Sequence, residues 1–446
     1  MTTDELKKNV DTIVVVIMEN RSFDHVLGHL RCPIYGNRRE VEGIEDVANP
    51  DYLNPNNDGE GIAPFWTADG PLNSDLPHDP EAVAKQLAYS QAMDRYFMTG
   101  FVKAFEDEFH TSVSNPPVMG LLQPDSIPAT GKLAAQYAVC DNWFACIPTS
   151  TAPNRLMSMC GFTNHRDTGI LLPDQDTVYD WLLKRGIRWR VYAAGLPFFA
   201  LMPRLSTLVL TSHFRRLTDL PKDLAEERPD DWPQVIFIEP DYNDCPVHLQ
   251  PPCDNHPPLA MAPGEIFLAQ VYKWVSSDAQ RWSRTVFVVT YDEHGGFFDH
   301  VSPLRVKYRN SAYSVTFDST GPRVPAIVAG PFAPRGVAKE PLDNTSTLQL
   351  IAERFGNAGE AYSLEVAGRM HQNIKSVSSV LSVEARNTDL CDMSAALAKP
   401  IGIAPPYPTV PNNLRLSFDH AAKNLAAKHQ AEAFAKYPEL RAYAKS

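Results

Sequence analysis

Five short stretches of the chain are apolar almost without interruption and rich in β-branched residues: Ile13–Met18, Arg190–Tyr192 with its flanks, Val235–Ile238, Val286–Thr290 and Val324–Ala329. Runs with no polar alternation are expected of strands buried on both faces, as in a parallel sheet covered by helices. Segments with helical spacing lie between them. Thr177–Gly186 ("TVYDWLLKRG") opens with Thr-x-x-Asp and stops at Gly, and Glu265–Val275 ("EIFLAQVYKWV") repeats apolar residues at helical intervals. Ser346–Gly356 ("STLQLIAERFG") opens with Ser-x-x-Gln and ends on Gly. These are the marks of helix starts and stops. Strands alternating with helices predict an α/β fold, a three-layer sandwich around a mainly parallel central sheet. No internal repeat is visible.

Two regions break the pattern. Residues 32–80 are poor in strand signals and rich in Asn, Asp, Pro and Gly, and read as a long irregular excursion after the first strand. Long loops of this kind in compact domains often carry function. Residues 386–412, around "KPIGIAPPYPTVPNN", read as a Pro-rich linker, and residues 413–443 look helical. The expected organisation is therefore an α/β unit over 1–385 and a linker with a helical tail over 386–446. That tail is either a packed appendage or a lid on the substrate side.

Composition narrows the function. With 446 residues the chain can bury a large core without disulfide staples. A formal net charge of −12 argues against a binder of nucleic-acid phosphates or of anionic lipid surfaces. The seven cysteines include no Cys-x-x-Cys pair and read as scattered reduced thiols, with Cys245 and Cys253 the two that flank a common Pro-rich loop. No run approaches the ~20 apolar residues of a membrane span. The first residues lack the features of a cleaved leader, so the expected location is the cytoplasm, or outside the cell by a route that needs no leader.

Chemistry enters at the strand ends. In open parallel sheets ligands bind at the carboxyl ends of the strands. The first strand ends in Glu19-Asn20 and a later one in Asp292-Glu293. Neighbouring strands would bring three carboxylates together, and their repulsion at neutral pH is resolved by a divalent cation. Oxygen ligands suit hard ions, and zinc also accepts carboxylates. The same doublets are compatible with solvated loop starts. "IPTSTAPNRLMSMCGF" (Ile147–Phe162) places small hydroxyls before Pro153 and a helical pattern. Pro153 is expected at the first helical position, which puts the hydroxyls at a helix N-terminus, a setting that attracts anions. A simple N-cap explains the cluster as well. His78 and His256 sit in polar Pro-rich loops, where either is able to hold a phosphoryl oxygen or protonate a leaving group.

Together, "MENRSFDHVLG", "TAPNR", "YDEHGGFFDHV" and "GPRVPAIVAGPFAP" resemble the bacterial phosphoesterase family of phosphatidylcholine-type phospholipases C and a related acid phosphatase. The resemblance spans Ile13 to about Gly356 and leaves out the 413–443 tail. It implies an alkaline phosphatase-like fold, with 1–385 as the catalytic domain. It also implies one divalent metal ion, zinc or calcium, held by Glu19, Asn20, Thr151, Asp292 and Glu293. Thr151 matches the nucleophile, His256 the histidine of the His-Pro motif, and His78 a further histidine; Asn20, His78 and His256 would contact the phosphoryl group. Three positions depart from the family pattern: His294, Asn344 where a histidine is usual, and "MDRYF", which lacks the glycine after Asp94. The implied activity is phospholipase C-like hydrolysis of a phosphodiester, phosphatidylcholine or another phospholipid, through a phospho-threonine. Hydrolysis of phosphomonoesters and non-catalytic binding of phospholipid or phosphate are the competing readings. Tyr96, Phe97, Trp143 and Phe144 are either a patch for a choline group or core; the core reading is preferred.

Overall fold

The computed structural model describes residues 1–401 and 411–445. Residues 402–410, most of the Pro-rich linker expected from the sequence, lie outside the described residues. One eight-stranded sheet organises the molecule. Its strands are β1 (Thr12–Met18), β2 (Ala138–Cys140), β3 (Trp189–Ala193), β4 (Phe214–Arg216), β5 (Val235–Glu239), β6 (Thr285–Tyr291), β7 (Ala326–Ala329) and β8 (Gly336–Ala338). Their order across the sheet is β4-β3-β5-β1-β6-β7-β2-β8. Strands β4, β3, β5, β1 and β6 run parallel, and helices cover both sides. This is the expected α/β sandwich. Every residue of β1 and β6 is buried, as continuous apolar runs require.

One expected parallel strand has the other direction. β7 is antiparallel to both β6 and β2. A parallel return needs a crossover, usually helical. The connection from β6 to β7 holds only a short hairpin, Tyr308–Asn310 with Val315–Phe317, and one turn of 3-10 helix. Pro325, which has no N–H to give, stands immediately before β7 and delays its start to Ala326.

Five helices matter below: α1 (Thr151–Cys160), α2 (Val178–Lys184), α3 (Ala262–Val275), α4 (Thr345–Phe355) and α5 (Asn413–Lys428). The expected start of α2 is present, with the Thr177 N–H donating to the Asp180 carboxylate at 2.7 Å. The capping box expected at Ser346 and Gln349 is not. α4 begins one residue earlier, and Asp343 accepts the Thr345 N–H at 2.8 Å. Ser346 Oγ instead accepts the Asp343 N–H, and Gln349 accepts the Tyr362 N–H, each at 3.1 Å.

The tail is helical, as the sequence suggests, through α5, a second helix Gln430–Lys436 and 3-10 turns over Pro438–Lys445. Leu414, Phe418, Leu425, Tyr437 and Leu440 are buried in the same hydrophobic core as the sheet. Ile44 and Leu76 of the irregular excursion pack into a separate, second core with Val83, Phe101, Val118 and Phe298. All seven cysteines are free, Cys245 and Cys253 included. Among the described residues no helix is long and apolar enough to cross a membrane.

Candidate active site

β1 and β6 pair in register to their last residues, Met18 opposite Tyr291. The next residues, Glu19-Asn20 and Asp292-Glu293, therefore emerge side by side at the carboxyl edge of the sheet. All four are buried. Asn20 adopts a left-handed conformation (φ 60°), which Asn tolerates better than most residues, and its N–H donates to Asp292 Oδ1 at 3.1 Å. Gly295 packs against the same turn. A Cβ there would stand 2.1 Å from the Asn20 carbonyl oxygen, so only glycine fits.

Thr151 is the first residue of α1, and its hydroxyl donates to Asn20 Oδ1 at 3.2 Å. Pro153 is the third helical residue, not the first. Thr168 Oγ1 accepts the Ala152 N–H at 3.1 Å, and Pro153 has none, so this helix end offers fewer free N–H groups than the sequence suggests. The rest of "TAPNR" explains itself here. Asn154 donates to the carbonyls of Ile147, Thr149 and Ser150, which fixes the loop carrying the nucleophile candidate. Arg155, one helical turn after Thr151, reaches Glu19 Oε1 and Asp292 Oδ2, each at 3.2 Å. Sequence reasoning assigned Arg155 no role; its place in a motif at helical spacing from Thr151 was the available signal.

The histidines meet in the same place. Their ring centroids are 6.1 Å apart. His78 Nδ1 lies 2.6 Å from the Leu76 carbonyl, and its Nε2 lies 3.4 Å from Asn20 Nδ2 and 3.9 Å from Glu293 Oε1. His256 Nδ1 bonds the Pro257 carbonyl, and its Nε2 faces Asp75 at 3.7 Å and Asp244 at 3.8 Å. Asp75 and Asp244, both from irregular loops, went unnoticed in the sequence. His78, Thr151 and His256, with Asp75, Asp244 and Ser150, line a cavity of about 340 Å³.

Charge at the strand ends is unbalanced. Burial pushes the Glu19 carboxyl well above its usual range, against the pull of Arg155, and lifts Asp292 to about 6 in the same way. Burial pushes Glu293 up as well, but His78, His294 and the Gly295 N–H together outweigh it and hold the carboxyl below its ordinary value. Burial pulls His78 down, but Glu293 and Asp75 lift it to about 9. His256 is likewise raised, Asp75 and Asp244 overcoming burial. Two buried oxygens, Glu19 Oε2 and Glu293 Oε1, have no hydrogen-bond partner among the described residues. Leaving such atoms unpaired is costly. Oxygens of this kind, with the Asn20 amide and Thr151 hydroxyl nearby, form a donor set that fits a divalent cation. Ligand atoms of Glu19, Asp244 and His256 also lie within 4.8 Å of one another.

Two of the three departures from the family pattern fall beside the site, whereas Asp94 of "MDRYF" is exposed and paired with Arg305. His294 Nε2 turns away to Gln86 at 2.8 Å. Asn344 donates to the Tyr291 and Asp292 carbonyls and accepts from the Trp143 indole, bracing the end of β6 from behind. Trp143, Phe144 and Tyr96 are buried, and none of the four aromatic candidates lines the cavity.

A model of the Phosphoesterase family matches residues 10–357. Non-specific phospholipase C1 of Arabidopsis thaliana is 31% identical over 354 residues, 74% of this chain and 63% of that protein. Phospholipase C A of Mycobacterium tuberculosis is 28% identical over 400 residues, 78% of this chain and 73% of that protein. The chain thus spans a little under two thirds of the plant relative's length. Among solved structures, a protein of the alkaline phosphatase superfamily from Vibrio parahaemolyticus aligns with a TM-score of 0.36 and 13% identity, covering 60% of this chain and 67% of that one.

Proposed function

The chain belongs to the Phosphoesterase family, and on that premise we propose that it is a metal-dependent phosphoric ester hydrolase of the phospholipase C type, with Thr151 as nucleophile. The observation that carries the reading is the Thr151 hydroxyl, 3.2 Å from Asn20 Oδ1 on the wall of a cavity shared with two histidines. Glu19, Asn20, Thr151, Asp292 and Glu293 would hold the cation, which supplies a lowered hydroxyl pKa and positive charge at the phosphoryl oxygens.

The chain's own residues do the rest. Arg155 fixes the Glu19 and Asp292 carboxylates from behind. Thr151 Oγ1 passes its proton to a water molecule and attacks phosphorus in line, forming an O–P bond as the bond to the leaving alcohol breaks. His256 Nε2 hands its proton to that alcohol, diacylglycerol when the substrate is a phospholipid. A water oxygen then bonds phosphorus as the Thr151 Oγ–P bond breaks; the water gives a proton back to His256, and Thr151 Oγ1 recovers its proton from solvent. His78 and the Asn20 amide contact the phosphoryl oxygens.

The test compares p-nitrophenyl phosphorylcholine with p-nitrophenyl phosphate, alongside metal analysis of the purified protein. Preference for the diester, with a bound divalent metal lost in Asp292→Asn, is the expected result. Preference for the monoester would make the protein a phosphatase, and unchanged metal content in Asp292→Asn would remove that ligand.

A further inference from the structure

The cavity is completed by a segment that the family match does not reach. Asn412, Asn413 and Leu414, at the start of α5, line it together with Thr151 and His256. Asn412 does two things with one amide. Its Oδ1 caps the helix, accepting the Arg415 N–H at 2.8 Å, and its Nδ2 donates to Asp244 Oδ1 at 3.0 Å. The other oxygen of that fully buried carboxylate faces His256 Nε2. The neighbouring Asn413 donates to the Thr168 carbonyl at 2.9 Å. Thr168 in turn bonds Ser150 and caps the helix that starts at Thr151. The start of α5 therefore touches both sides of the cavity, the histidine side and the nucleophile side.

The segment is firmly seated. Phe418 is fully buried, with its ring 5.5 Å from Tyr242 and 6.2 Å from Phe198. Both of those rings flank the Arg155 guanidinium. The wall that carries Asn412 is thus packed on the residue that holds Glu19 and Asp292.

We propose that Asn412 is a positioning residue for catalysis: from the C-terminal helix it fixes the Asp244 carboxylate that orients His256 toward the leaving group. The proposal rests on the reading of His256 as the proton donor. In the step concerned, the Oγ–P bond forms, the P–O bond to the alcohol breaks, and the His256 Nε2 proton moves to the departing oxygen. An alkoxide needs that proton, whereas p-nitrophenolate leaves without it. Loss of the positioning contact should therefore depend on the leaving group, which a merely structural defect would not.

Asn412→Ser is the discriminating variant, because Ser caps a helix as well as Asn but has no amide to reach Asp244 and adds no charge beside it. Two substrates that transfer the same phosphorylcholine group are compared: dihexanoyl phosphatidylcholine and p-nitrophenyl phosphorylcholine. Asn412→Ser should lower kcat/KM for the lipid about 10- to 100-fold while leaving the nitrophenyl ester within about threefold, with Tm close to that of the wild type. Equal loss on both substrates, or no loss on either, would overturn the proposal. His256→Gln is run in parallel. If it too spares the nitrophenyl ester, the donor reading stands, and a leaving-group-blind Asn412→Ser then refutes Asn412 alone. If His256→Gln impairs both substrates alike, the donor reading itself fails. Lys423→Ala, on the exposed side of α5, should match the wild type on both.

Discussion

Two clusters of buried carboxylates flank the same stretch of chain, and their difference separates structure from chemistry. One is Asp24, Asp299 and His300 around Arg323; the other is Glu19, Asp292 and Glu293 around Arg155. In the first, Arg323 bonds Asp24 Oδ1 and Asp299 Oδ1, each at 2.9 Å. His300 takes Asp24 Oδ2, and the Asp24 N–H takes Asp299 Oδ2. Every carboxylate oxygen there is paired, and the guanidinium also donates to the Glu42 and Asp141 carbonyls. In the second, Arg155 likewise spans two carboxylates, but Glu19 Oε2 and Glu293 Oε1 remain open. A closed cluster pins "ENRSFDH" against "FFDHV". An open one, beside a cavity and a threonine hydroxyl, has room for a ligand.

The largest expected break in this comparison is at the open cluster. Thr151→Ala should lower turnover by about 10⁴-fold or more while Tm stays unchanged, since it removes the attacking atom and little packing; steady-state kinetics and thermal melts together decide it. At the closed cluster the signature inverts. Arg323→Met strands two buried carboxylates and should cost about 3–5 kcal/mol of stability by urea denaturation, with activity falling only as far as the fold does. A loss of activity without a loss of stability would mean that the closed cluster is not merely structural.

Cation removal sharpens the contrast next. Chelation should lower Tm, and restoring a divalent ion at a hundredfold excess over its Kd should return about 2.7 kcal/mol. Asp292→Asn should lose most of that gain, whereas Arg323→Met should keep it.

The smallest effect is a pH dependence of the closed cluster. Burial pulls His300 down, but Asp24 and Glu42 together outweigh it and raise the imidazole to about 9 from an ordinary 6.5. A histidine raised on folding contributes stability that is complete below pH 6.5 and is lost as pH rises through 9. The drop should be about 1–3 kcal/mol. His300→Gln should flatten this part of the stability profile; an unchanged profile would place the titration elsewhere.

What the sequence revealed follows from how local each feature is. Glu19-Asn20 and Asp292-Glu293 stood out because apolar runs end abruptly in them, and the parallel pairing of β1 with β6 needed only those runs. Strands β2, β4 and β8 are three residues each, too short for a period to show. The direction of β7 depends on a connection without a helix, which the strand's own residues do not encode. Ser346 and Gln349 have capping-box spacing, yet the same spacing occurs inside a helix; the N-cap position is Asn344, and the first free N–H, that of Thr345, is taken by Asp343. Asp244 and Asn412 reach the site from irregular or distant chain, so no local pattern announced them, whereas Arg155, one helical turn from Thr151, and Asp75, three residues before His78, did have a local signal. Asn412 in particular comes from beyond the region that the family motifs cover.

The central claim is that Thr151 carries the transferred group. The most direct measurement is an acid quench during turnover of p-nitrophenyl phosphorylcholine, followed by peptide mapping by mass spectrometry. Phosphorylcholine esterified to Thr151, absent from Thr151→Ala, is the expected result. An adduct on another residue, or turnover with no adduct in single-turnover samples, would contradict the account.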